Sequence, residues 1–175
     1  MRMSIRNCVM AVLLISAIVM QALTSSAKTL SIESQPAGYS YGPANKSLEL
    51  SVKLSTSAVT VGAPIAVTFA IENLGPPIKL FRMGSIKEYV ITGTDPNGAP
   101  IKQGGPGILF AGSVPDGYFL DTGQAYVLGF EDLGQAYNFK QQGQYTFFVQ
   151  TAVTLGYGSP VYVVLKSNTV TLKVQ

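Results

Sequence analysis

The chain has no histidine and no tryptophan, a single cysteine, and only 12% charged residues among its 175. Each scarcity removes a class of chemistry. Without histidine there is no imidazole to serve as the base of a Ser-His-Asp triad or as a ligand in most zinc sites. The one thiol, Cys8, falls inside an apolar N-terminal run, so the rest of the chain has no disulfide, thiolate metal site or cysteine nucleophile. Long amphipathic helical stretches are also missing, and the 12 Lys and Arg form no run. Nucleic-acid binding draws on clustered cations, so scattered ones exclude it as the expected partner.

What is present begins with an export signal. Arg2 and Arg6 precede the apolar run CVMAVLLISAIVMQAL at Cys8–Leu23, and small residues at Ser25 and Ala27 close it. A basic segment, an apolar segment and a small-residue site make up a secretory signal peptide. The alternative is a retained membrane anchor, but the run is shorter than the roughly 20 apolar residues of a spanning helix, and Gln21 interrupts it. The expectation is therefore a signal peptide at 1–27, a flexible leader at 28–46 and one domain at 47–175, in the periplasm or outside the cell, with no membrane span after cleavage. Loss of Arg2 and Arg6 leaves ten cationic side chains against nine acids, a net charge of +1. The roughly 150 residues that remain are enough to bury about 68–70% of the unfolded surface. Core packing must then supply the stability that disulfides often supply in exported domains.

Alternation dominates from Leu48 onward. In LELSVKL, Leu48, Leu50, Val52 and Leu54 share one face while Glu49, Ser51 and Lys53 share the other. That period of two marks a half-buried strand. Ile65–Ile71 repeats it, NLGPP at Asn73–Pro77 turns the chain, and Ile78–Arg82 and Tyr89–Thr92 read as short strands. DPNG at Asp95–Gly98 is a turn. Tyr118–Leu120, Tyr126–Phe130, Tyr145–Thr154 and the closing run VYVVLKSNTVTLKV complete the set, with about one helical turn near Leu133–Phe139. Short strands separated by Gly/Pro turns predict an all-β, immunoglobulin-like antiparallel sandwich of about seven to nine strands. Thr29–Lys46 lacks clear periodicity and reads as the leader, so Tyr41 is expected to be dispensable.

The segment DLGQAYNFKQQGQYTFFVQ at Asp132–Gln150 packs a Leu, two Tyr and three Phe around Gly143. In immunoglobulin-like sandwiches a Tyr near the start of a late strand buries its ring and bonds its hydroxyl to upstream backbone. Tyr145 fits that corner, with Leu133, Tyr137 and Phe139 closing the base of the core. The order D-L-x-x-x-Y-x-F-x-x-x-G-x-Y at Asp132–Tyr145, with K-S-N-x-V-x-L-x-V at Lys166–Val174, resembles the immunoglobulin-like domain preceding the catalytic domain of deuterolysin-type (aspzincin) zinc peptidases. TVGAPIAVTFAIENLG at Thr60–Gly75 is similar to bacterial extracellular immunoglobulin-like modules and to the intracellular proteinase inhibitor sandwich. The resemblance spans roughly Leu48–Val174. It implies a non-catalytic module, because the H-E-x-x-H helix of those peptidases has no counterpart in a chain without histidine.

Other constellations are weaker. Asp116, Asp121, Glu131 and Asp132, all near strand ends or loops, are the candidates for a carboxylate-pair hydrolase or a calcium site, and their spacing matches no calcium loop. GGPG at Gly104–Gly107 lacks the Lys-Ser/Thr of a phosphate loop. Lys166 and Ser167 are adjacent on a strand and point to opposite faces. Asn45-Lys46-Ser47 is a glycosylation sequon. No cofactor is implied. The aromatic residues Phe110, Tyr118 and Phe119 mark the expected binding loop, since exposed rings stack on sugars or anchor proteins. The expected function is non-enzymatic binding of a protein or glycan. The alternatives are a proteinase inhibitor presenting a loop from Ile101–Asp121 or Leu155–Pro160, and a small calcium-dependent binder or hydrolase using the four acids.

Overall fold

The computed structural model describes residues 29–34, 38–81, 89–104, 118–130, 132–155 and 161–175. Among these residues eleven strands form two sheets, and no described helix exceeds the three-residue 3-10 turn Leu133–Gln135. The strands are β1 (Thr29–Ser34), β2 (Leu48–Leu54), β3 (Ala58–Val59), β4 (Val67–Asn73), β5 (Ile78–Phe81), β6 (Val90–Thr94), β7 (Tyr118–Leu120), β8 (Gln124–Phe130), β9 (Gly143–Leu155), β10 (Val161–Lys166) and β11 (Val170–Val174). The smaller sheet runs β1-β8-β4-β2. The larger has seven strands, in the order β3-β11-β9-β5-β7, with β6 and β10 also paired to β9. All pairings between named strands are antiparallel except the two-residue contact of β3 with β11.

Alternation decides which side chains meet between the sheets. Leu48, Leu50 and Val52 of β2 face inward with Val67, Phe69 and Ile71 of β4 and Tyr126, Leu128 and Phe130 of β8. Tyr145, Phe147, Val149 and Val153 of β9 meet them from the larger sheet, in one continuous apolar cluster. Phe69 stacks on Tyr89 with ring centroids 4.3 Å apart.

Three expectations change. Thr29–Ser34 is not a leader, because all six residues pair with β8 from Gly129 to Gln124. Its sequence, TLSIES, alternates too briefly to stand out, and only β8 supplies the partner that makes it a strand. Nor does Tyr41 sit in a free leader. It pairs with Ser51 in an isolated bridge and packs, with Tyr39, on Ala70, Ala125 and Val127 of the smaller sheet's outer face. The strand count also exceeds seven to nine. β1 and β3 were unforeseen, and the closing run divides at Ser167–Thr169 into β10 and β11.

Residues 1–27, the expected signal peptide, lie outside the described residues. Among the described residues no helix is long and apolar enough to cross a membrane.

Candidate functional site

The corner residues come together. The Tyr145 ring is 1% exposed, and its hydroxyl donates to the Gln141 carbonyl (3.1 Å) and accepts from the Gln141 N–H (3.0 Å). Phe139 packs edge-on against it at 5.1 Å and lies 5.7 Å from Phe147. Tyr137 is buried and accepts from the Ile91 N–H through its hydroxyl (3.1 Å). Leu133 is fully buried in the 3-10 turn, which Asp132 caps by accepting from Gly134 N–H (2.8 Å). The same Asp132 oxygen accepts from Ile65 N–H (3.0 Å), tying the crossover to the edge of β4. Asp132, Tyr137 and Tyr145 spend their polar atoms on backbone groups of the scaffold, so these three side chains position strands. Beside it a cleft of about 120 Å³ is lined by Asp95, Lys102, Asn138, Lys140, Gln141 and Tyr145, among others. Ligand pockets are ordinarily some 300–1,000 Å³, so this one is smaller than a ligand site.

The S-N of the closing motif is structural as well. Ser167 accepts from Val149 N–H (2.8 Å) and donates to the Asn168 carbonyl (2.7 Å). Asn168 pairs both ends of its amide with the Val52 backbone, at 2.8 and 3.0 Å. Ser167 is thus no nucleophile; it and Asn168 join the two sheets. Asp95 accepts from the N–H groups of Asn97 and Ala99 at 2.9 Å each, and Gly98 takes φ 78°, as the DPNG turn requires.

The acid group divides. Asp116 and Glu131 lie outside the described residues, while Asp121 and Asp132 flank opposite ends of β8, a seven-residue strand about 23 Å long. No cation or sugar bond reaches both. Among the described residues no three His, Cys, Asp or Glu side chains converge on a metal position. One carboxylate pair that the sequence reading passed over does meet: Glu49 of β2 stands directly opposite Glu72 of β4. Burial, then the neighbouring Glu72 charge, raises the Glu49 pKa above its ordinary value. Tyr41 lies over the same face. Its phenol is pushed well up by burial and by Glu72, although its hydroxyl finds no partner of hydrogen-bonding geometry.

Of the expected aromatic loop, Phe110 and the side chain of Tyr118 lie outside the described residues. Phe119 is described and is 66% exposed on β7. Its neighbours are not those of a loop. Phe119 stands opposite Lys79 on the outer face of the larger sheet, with the Lys79 ammonium 5.3 Å from its ring centre. That face continues through Tyr162 (60% exposed) and Val164 (56%) on β10 and Val90 (43%) on β6. Lys166 ends the β10 row with its ammonium 4.0 Å above the Phe148 ring. The one sequence signal for this surface is VYVVLK itself. Val161–Val164 is apolar in both registers, so a strand there cannot bury both faces against one core.

No protein-family model matches the chain, and no curated protein matches it in sequence. One solved structure, the X-ray structure of Northeast Structural Genomics Consortium target SoR45, is similar over 83% of this chain and 85% of its own, at 13% identity and a TM-score of 0.31. The strand pairing and burial define an all-β sandwich, and among the described residues the outer face of its larger sheet exposes Phe119, Tyr162, Val164 and Val90.

Proposed function

We propose that the chain is an exported, non-enzymatic recognition module of the immunoglobulin-like kind, binding a protein or glycan through the outer face of its larger sheet. One observation carries the reading: Phe119, Tyr162, Val164 and Val90, each 43–66% exposed, share that face. Single exposed apolar residues are ordinary, whereas several on one sheet surface mark a contact site. The immunoglobulin-like assignment draws on the Tyr145 corner and on the late crossover from β8 to β9. The inhibitor alternative rests mainly on stretches within 105–117 and 156–160, outside the described residues.

The test is capture of glycans and secreted proteins by the purified chain, beside a Phe119→Ala/Tyr162→Ala/Val164→Ala variant. A ligand held by the parent and lost by an equally stable variant supports the reading. Capture that survives the triple change overturns it.

A further inference from the structure

We infer that this face binds an extended acidic polysaccharide laid along β9. The inference rests on reading the face as the recognition surface, and names the chemical class of its ligand.

Charge sets the class. Outward positions of the larger sheet carry Lys166 and Lys173, and no described outward position of its strands carries a carboxylate. Shape sets the length. Tyr162, Lys166 and Lys173 stand opposite Thr154, Gln150 and Gln144 of β9. At about 3.3 Å per residue they mark a line of roughly 33 Å, with the two lysines about 20 Å apart. A sheet face does not enclose a compact molecule, but it offers continuous contact to a chain lying flat.

The remaining groups suit a sugar. Phe119 and Tyr162 provide exposed rings for the apolar faces of pyranose units. From Lys166 towards Lys173, Gln150, Thr92, Thr146 and Gln144 present amides and hydroxyls on the same face, suited to sugar hydroxyls. A second copy of the chain fits less well. Its acidic surface, the outer face of the smaller sheet, sets Glu33, Glu72 and Glu49 in one cross-strand row. That row spans about 14 Å at some 4.8 Å per strand, too short to meet lysines 20 Å apart.

The experiment is affinity electrophoresis of the purified full chain in gels containing polygalacturonate, neutral dextran or single-stranded DNA, at about 50 and 200 mM salt. Sedimentation of the chain alone runs in parallel. Expected is retardation by polygalacturonate only, weakened roughly tenfold by the higher salt, as release of a few counterions predicts. Lys166→Gln/Lys173→Gln should weaken it about tenfold more, and Tyr162→Ala should weaken it with little change in salt dependence. These side chains are exposed, so an unchanged melting temperature verifies folding. No retardation, equal retardation by dextran or DNA, or an unaffected lysine variant overturns the inference. So does salt-sensitive self-association without polysaccharide binding, which would assign the face to a second copy. Should polygalacturonate fail while the Phe119/Tyr162/Val164 variant still loses a captured protein, the face stands as the recognition surface and only the acidic-polysaccharide assignment falls.

Discussion

At the scale of single residues, Tyr145 shows how one side chain does two jobs. Its ring fills the core beside Phe139, and its hydroxyl closes the turn onto Gln141. Tyr145→Ala is expected to cost about 3–5 kcal/mol, as deletion of a large core side chain does. Tyr145→Phe should cost only about 0.5–1.5 kcal/mol, the net worth of a hydrogen bond. Urea unfolding separates the two, and equal losses would mean that the hydroxyl rather than the ring holds the corner. Glu49 gives a pH prediction. Its carboxyl keeps its proton longer in the folded chain, because burial and then Glu72 disfavour the charge. The folded pKa lies above the unfolded one, so this stabilisation is full below the unfolded value and is lost as pH rises through the folded value. Glu49→Gln removes the loss. Its advantage over the parent should be near zero at about pH 4 and grow towards pH 7 in paired urea titrations. An advantage that stays constant with pH would exclude the charge as its source.

At the scale of elements, β9 organises the larger sheet. Thirteen residues long, it pairs with β11 and β10 in turn along one edge and with β6 and β5 along the other. Gly93 of β6 permits that approach, since a Cβ there would lie 2.2 Å from the Thr146 carbonyl oxygen. The strong alternation of β9 was legible from Tyr145 to Thr154. β1 was not. Its pairing with β8 covers an edge whose unpaired N–H and C=O groups would otherwise invite strand addition. Deleting residues 29–34 is therefore expected to lower the melting temperature and promote aggregation, measured by calorimetry and light scattering. A truncated chain as stable and monodisperse as the parent would reduce β1 to an appendage. Ser167 and Asn168 make the converse point. Their motif was visible, but its use, stitching Val149 and Val52 of opposite sheets, was not.

At the scale of the whole molecule, the two outer faces differ in character. The smaller sheet presents Glu33, Glu49 and Glu72 with Lys53 beneath Tyr39 and Tyr41, whereas the larger presents lysines, rings and valines and no carboxylate on its described strands. The Phe119/Tyr162/Val164 substitution belongs to this scale. It should leave the melting temperature nearly unchanged while abolishing capture, because exposed side chains contribute to contacts outside the fold rather than within it.

The sequence by itself determined the all-β class, most strand positions, the turns at Asn73–Pro77 and Asp95–Gly98, and the burial of Leu133, Tyr137 and Tyr145. These follow from local rules: side chains alternate at period two, and Gly and Pro restrict the backbone where they stand. Only the tertiary structure decided that Thr29–Ser34 is a strand, that Asp121 and Asp132 stand apart, and that Phe119 shares a face with Tyr162 and Val164. The physical reason is the same in each case. Strand pairing joins residues far apart in the chain, and which sheet face remains uncovered is fixed only once both sheets have packed.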